Sequence, residues 1–255
     1  MTSSPASPLY VLIHGAWHGG WCWGPVAERL RRAGAEVHAP TLPGLGERAG
    51  ELSPDITLDT FIKDMQEYLS SHDLRNVVLV GHSFGGLVIA GLADRVRERI
   101  SRLVYLDAFL LPAGTSTFAT LPEGMAEKLE RAAQPAGGIP PVRPEQLGLT
   151  DPADQEFVGT WMTPHPVGTY RSPLKLDHPL GNGLPAAYLR CAEPPFKGTA
   201  ASYDWARRTF GDAWTWRDLP AGHDAMVSHP DLVADALLNL GRPSRTESAA
   251  PSHRP

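Results

Sequence analysis

Cysteine is scarce in this chain: 255 residues carry only Cys22 and Cys191, far apart in sequence. Two such thiols make neither a disulfide framework nor a metal cluster, and they read as reduced, buried groups acting as small hydrophobes. Positive charge is not in excess either. The formal charge is −5, which leaves no basic footprint for nucleic acid. Nowhere does an apolar run approach the ~20 residues that span a bilayer, so no membrane partner is expected. Residues 1–8 lack the basic region and apolar stretch of a signal peptide, which points to a cytoplasmic protein. There is no internal repeat. What remains is an ordinary globular composition, 42% hydrophobic and 20% charged, at a length that can bury one sizeable core. Proline alone stands out, with 25 residues, about twice the usual ~5%. Many of them fall between residues 112 and 195, which marks that region as loop-rich.

Strand-like and helix-like segments alternate along the rest of the chain. Leu9–His14, Glu36–Ala39, Val77–Val80, Leu103–Leu106, Ala186–Cys191 and Trp214–Asp218 read as short strands. Between them Pro25–Ala33, Thr57–Ser70, Phe84–Val96, Thr199–Phe210 and Pro230–Leu240 read as helices. Pro25 suits the first helical position and Gly34 a C-terminal cap. On Thr57–Ser70, Leu58, Phe61, Ile62, Met65 and Leu69 share one face. Six strands in this rhythm predict an α/β fold, with a mainly parallel six-stranded sheet covered by helices on both faces. Residues 112–185 break the rhythm, with short helical pieces such as Glu123–Ala133. They read as a cap inserted over the sheet's C-terminal edge, where open α/β sheets hold their ligands. The expected organisation is one domain over 9–241 between disordered tails, 1–8 and 242–255, both polar and rich in Pro and Ser.

Chemistry concentrates at Gly81-His82-Ser83-Phe84-Gly85, a G-x-S-x-G stretch with a strand before it and a helix after it. The glycines make room for a sharp turn. The serine is held in a strained backbone conformation that presents Oγ at the sheet edge, and the helix aims its positive end at the same point. A serine hydroxyl needs a base. In this architecture the histidine comes last, after the final strand. Of the ten histidines, His223 in Ala221-Gly222-His223-Asp224 occupies that place. His72, His165, His178 and His253 fall in loops or tails, His38 lies on or beside a strand, and His229 starts a helix.

Acyl transfer also needs donors for the oxyanion. His14-Gly15-Ala16-Trp17 follows the first strand and suits one backbone N–H, that of Ala16. The residue after the serine, Phe84, supplies the second. Two carboxylates compete for the task of orienting the histidine. Asp107 ends the strand beside the nucleophile strand, and Glu193 follows the penultimate strand. Asp224 adjoins His223 and should point elsewhere.

The stretches "VLIHGAWHGGWCW", "PTLPGLGER", "VGHSFGG", "LVYLDAFLLP" and "AGHDAMVSHP" resemble the α/β-hydrolase superfamily. Within it, they are similar to the small-esterase branch of pyrethroid-hydrolysing esterases, plant methylesterases and hydroxynitrile lyases. The resemblance covers roughly residues 9–241. It implies Ser83 as nucleophile, His223 as base, Ala16 and Phe84 as oxyanion donors, and neither a metal nor an organic cofactor. Many relatives carry an acid after the penultimate strand. Here Pro194-Pro195 stands in that loop, which favours Asp107. The lyases of the branch carry a threonine where Gly15 stands and a lysine where Asp224 stands, so the resemblance implies hydrolysis rather than cyanohydrin cleavage.

A serine hydrolase of a hydrophobic carboxylic ester, lactone or thioester is therefore expected. Trp17, His18, Phe118 and Trp161 are the candidate substrate contacts, with Trp21, Trp23, Met125, Met162 and Tyr170 as further apolar residues of the same regions. A cyclase or lyase on the same triad, or a binding relative for a small aromatic ligand, are the alternatives.

Overall fold

The computed structural model describes residues 7–134 and 137–241. The expected tails lie outside these residues except at Ser7 and Pro8. Pro8 is already tied to the fold, since its carbonyl accepts the Glu36 N–H (3.0 Å).

Six strands form one sheet: β1 (Leu9–Ile13), β2 (Glu36–His38), β3 (Val77–His82), β4 (Ile100–Leu106), β7 (Ala186–Cys191) and β8 (Thr215–Leu219). Their order is β2-β1-β3-β4-β7-β8, and every pairing is parallel. Two short strands, β5 (Gly138–Ile139) and β6 (His165–Pro166), make a separate antiparallel pair. The helices are α1 (Gly24–Arg32), α2 (Leu58–Ser71), α3 (Gly85–Arg95), α4 (Met125–Ala133), α5 (Pro152–Trp161), α6 (Val167–Arg171), α7 (Lys197–Phe210), α8 (Ala225–Ser228) and α9 (Pro230–Gly241).

The near-continuous apolar strands follow from burial on both faces. Side chains alternate along each strand, so each sends half of its residues to either side. Val11, Ile13, Leu79 and Tyr105 join Phe61 and Met65 of α2 and Val88 and Leu92 of α3 in one core. Tyr10, Leu12, Val78, Val80 and Leu106 join Leu30 of α1 and Leu237 of α9 in the other. Helix α2 starts on a reciprocal cap: the Thr57 hydroxyl accepts the Thr60 N–H (3.2 Å), and Thr60 Oγ1 accepts the Thr57 N–H (3.1 Å).

Several element ends differ from the sequence reading by one to three residues. The largest differences are in the central strands. β3 runs on to His82 because Gly81 and His82 pair with Tyr105 and Leu106, and β4 begins at Ile100. Ladder pairing with a neighbour, which local hydropathy does not register, sets these ends.

Strand order positions the site. The chain leaves β1 toward the β2 edge and returns to the far side of β1 as β3. Loops leaving β1 and β3 therefore diverge at the sheet's C-terminal edge, the crevice where such sheets bind ligands. Segments between β4 and β7 fold over this edge. Trp17 links the two layers: its indole N–H donates to Ile139 O (3.1 Å) and its carbonyl accepts the Thr163 N–H (2.9 Å).

Candidate active site

Ser83 sits at the junction of β3 and α3 with φ 51°, a left-handed conformation uncommon for a side-chain-bearing residue. Its backbone is held on both sides: its N–H donates to Leu106 O (3.2 Å) and its carbonyl accepts the N–H groups of Gly86 (3.0 Å) and Phe109 (2.9 Å). The flanking glycines are required by contact. A Cβ on Gly81 would lie 2.7 Å from Gly85 O, and one on Gly85 would lie 2.7 Å from both Ile13 O and His14 O. Real Cβ atoms do not approach so closely, so any other residue would push α3 away from β1 and β3.

Three side chains meet at this turn. His223 Nε2 lies 2.9 Å from Ser83 Oγ, and His223 Nδ1 lies 2.6 Å from Asp107 Oδ2. A carboxylate can only accept, so Nδ1 carries the proton and Nε2 offers its lone pair to the serine hydroxyl. Ser83, His223 and Asp107 are 6%, 2% and 2% exposed. Asp107 also has a positive φ, 41°. Its N–H donates to Leu189 O (2.7 Å), and its Oδ1 accepts the Cys191 N–H (3.3 Å). Neighbouring strand β7 thus fixes the carboxylate from the side.

The loop after β1 passes directly above Ser83. A Cβ on Gly15 would stand 2.7 Å from Ser83 Cβ and 3.3 Å from its Oγ. His14 Nε2 accepts the Leu42 N–H (3.0 Å), so its Nδ1 carries the proton and donates to Gly15 O (2.8 Å). That bond fixes the Gly15–Ala16 peptide. Among the described residues, neither the Ala16 nor the Phe84 N–H has a protein acceptor, although both residues are buried. Buried N–H groups are rarely left unpaired. One belongs to the loop over Ser83 and the other to the residue after it.

A model of the Alpha/beta hydrolase family matches residues 10–236. The chain belongs to this family. A carbendazim hydrolyzing esterase of Nocardioides sp. is 36% identical over 247 residues, which cover 91% of this chain and 99% of that protein. Methylesterase 1 of Arabidopsis thaliana is 39% identical over 112 residues, 43% of each chain. An extracellular alpha/beta-hydrolase from a Paenibacillus species has the same fold, with TM-score 0.80 at 24% identity over 92% of this chain and 100% of that one. The chain is thus an ester-cleaving α/β-hydrolase.

Other expected site residues have different places in this hydrolase. Glu193 is exposed, while His223 Nδ1 is engaged by Asp107. The loop after β7 brings Phe196 to the site instead: its ring stacks on the His223 imidazole with centroids 4.0 Å apart. Nothing in the sequence marked Phe196. His18 is 1% exposed, and both ring nitrogens are taken, Nδ1 by Ala16 O (2.7 Å) and Nε2 by Asp224 Oδ2 (3.0 Å). Trp161 is 54% exposed at the end of α5, open to solvent rather than walled in above Ser83. Trp17, half-buried at φ 66°, serves as the tether described above. Phe118 lies in an aromatic stack, with Phe118 against Tyr170 (5.6 Å) and Tyr170 on Phe84 (5.2 Å, nearly parallel). His165, expected in a loop, is fully buried on β6 beside the Phe84 ring (4.8 Å).

Burial pushes the His14 and His165 imidazoles down to about 3, so both are neutral. Burial drives His82 down as well, with the neighbouring His223 acting in the same direction. Ligand atoms of His82, His223 and Asp224 fall within 4.8 Å of one another. They are poor metal ligands as arranged. His82 Nε2 donates to His223 O (3.0 Å), and both nitrogens of His223 are already in use. Among the described residues no helix is long and apolar enough to cross a membrane.

Proposed function

We propose that this esterase works through an acyl-enzyme, with Ser83 as nucleophile, His223 as base and Asp107 as the acid that orients the base. The observation that carries the reading is the continuous Ser83–His223–Asp107 chain, with distances of 2.9 and 2.6 Å and a proton on the nitrogen facing the carboxylate. Ser83 Oγ attacks the acyl carbon while its proton passes to His223 Nε2. The carbonyl electron pair collects on oxygen, where the Ala16 and Phe84 amides receive it. Collapse expels the alcohol, which takes the proton from Nε2. Water then enters, gives a proton to Nε2 and attacks the same carbon. A second collapse frees the acid and returns Ser83 Oγ with its proton. Asp107 holds the imidazole in the useful tautomer and offsets its transient charge.

The acyl side is taken to be aromatic or otherwise apolar. Phe84, Phe118, Tyr170 and His165 form one aromatic cluster running from the nucleophile turn into the cap. Relatives named for carbendazim hydrolysis and as methylesterases are in keeping with a small leaving alcohol. Residues 9–241 are read as one domain with 112–185 as its cap, acting in the cytoplasm.

The test is covalent. A fluorophosphonate probe should label the wild type and not Ser83→Ala, with the adduct on Ser83 by peptide mass. A panel of methyl esters of aromatic acids, with carbendazim included, should be turned over by the wild type. Labelling elsewhere in the chain, or equal turnover by a folded Ser83→Ala protein, would defeat the reading.

A further inference from the structure

A second histidine–carboxylate pair lies behind the first, and the reaction described above leaves it unused. His18 Nδ1 faces Ala16 O at 2.7 Å and its Nε2 faces Asp224 Oδ2 at 3.0 Å. Both partners are acceptors, so both nitrogens must carry protons when Asp224 is ionised. The pair is then an imidazolium and a carboxylate, 1% and 0% exposed. Burial opposes charge on each member. The charge of the other member and the hydrogen bond between them outweigh that cost, raising His18 and lowering Asp224. The titratable groups facing the pair are His14, His82 and His223, together with the Cys22 and Cys191 thiols. His14 and His82 are held neutral by burial, and burial also pushes both thiols up and keeps them protonated.

The two ends of this pair sit on different loops. Asp224 follows His223 directly, on the loop leaving β8. His18 donates to Ala16 O, on the loop leaving β1. Trp17, between Ala16 and His18, is in the left-handed region at φ 66°, a conformation that persists only where its surroundings enforce it. A charge-assisted bond to Ala16 O is about twice as strong as a neutral one. With His14 on Gly15 O, two successive carbonyls of the loop are gripped by imidazoles, one neutral and one charged.

We propose that His18, held as an imidazolium by Asp224, is a positioning residue for the reaction. It fixes the β1 loop so that the Ala16 N–H meets the developing oxyanion, and it ties that loop to the one carrying the base. This rests on the esterase reading, in which Ala16 is an oxyanion donor.

Asp224→Asn keeps the shape and removes the carboxylate. Burial then leaves His18 neutral, with a weaker hold on Ala16 O. In this variant kcat should fall by about 10- to 100-fold, the scale on which misplacement of a catalytic group is felt, while KM changes less than about twofold. Affinity for a boronic acid that forms a tetrahedral adduct on Ser83 should fall in parallel with kcat, and affinity for the product acid should not. In the Asp224→Asn background, His18→Asn retains a donor for Ala16 O and should be faster than His18→Ala. A purely structural pair would instead lower the unfolding midpoint and move kcat, KM and product affinity together, and that result overturns the proposal. Unchanged kcat in a folded Asp224→Asn protein also overturns it. Should the variants fail to fold, imidazole nitrogen NMR of the wild type decides: two protonated nitrogens on His18 at pH 7 are expected, and a neutral ring contradicts the proposal. Fluorophosphonate labelling of Ser83 in the wild type reports on the esterase reading separately.

Discussion

The loops leaving β4 and β7 start side by side at the sheet edge and act differently on the same imidazole. Leu106 and Leu189 are in register, so the two chains reach the edge at one level. Parallel neighbours lie only about 4.8 Å apart, and a carboxylate from either loop is within reach of a histidine there. In this protein the β4 loop provides the carboxylate, Asp107, at 2.6 Å. β7 provides a backbone N–H, from its last residue Cys191, and the loop after it an aromatic cover, Phe196. In the proposed mechanism the acid acts from the β4 loop, and the β7 loop covers the imidazole instead.

Substitutions at the nucleophile and on the two loops should separate their contributions. Ser83→Ala should abolish hydrolysis, with a loss of kcat of about a million-fold that serves as the ceiling for every other variant. Asp107→Asn should come next, losing about 1,000- to 10,000-fold in kcat, because an amide favours the wrong imidazole tautomer. Phe196→Ala should cost only several-fold in kcat, measured in the same assay, since the ring covers His223 without exchanging protons. Glu193→Gln should stay within about twofold of wild type.

A stability measurement probes two neutral histidines near the nucleophile turn, His14 in the β1 loop and His165 beside Phe84. His14 and His165 sit near 3 in the folded protein, well below the ordinary 6.5 of an unfolded chain. The unfolded state therefore binds more protons as pH falls below 6.5. Their contribution is fully present above that pH and is lost progressively between about 6.5 and 3. Each contributes a slope of up to about 1.4 kcal/mol per pH unit. Urea unfolding at several pH values should show stability falling through this window, and His165→Gln should remove close to one proton's worth of the slope. A slope that His165→Gln leaves unchanged would mean that His165 is not buried neutral.

Much of this was legible in the residues themselves. The apolar runs of β1, β3 and β7 mark strands because both faces are covered. The glycines around Ser83 mark a turn because a Cβ there collides with backbone. His223, which the structure brings to Ser83 Oγ, stood out among ten histidines by its late place and the short loop after a strand. The carboxylate beside it did not stand out, because Asp107 and Glu193 both follow strands of the sheet, and only strand order and register say which one faces the imidazole. The His18–Asp224 pair was not legible for a related reason: its two members lie 206 residues apart. Phe196 carried no local signal, since one aromatic residue after two prolines is equally at home on a surface.

The proposed place of the acid on the β4 loop is decided by kcat/KM for an activated aryl ester in Asp107→Asn and Glu193→Gln, side by side, at the wild-type pH optimum. A collapse of about three orders of magnitude or more is expected in Asp107→Asn, with Glu193→Gln unchanged. Near-normal turnover by Asp107→Asn, or a collapse in Glu193→Gln, would contradict it.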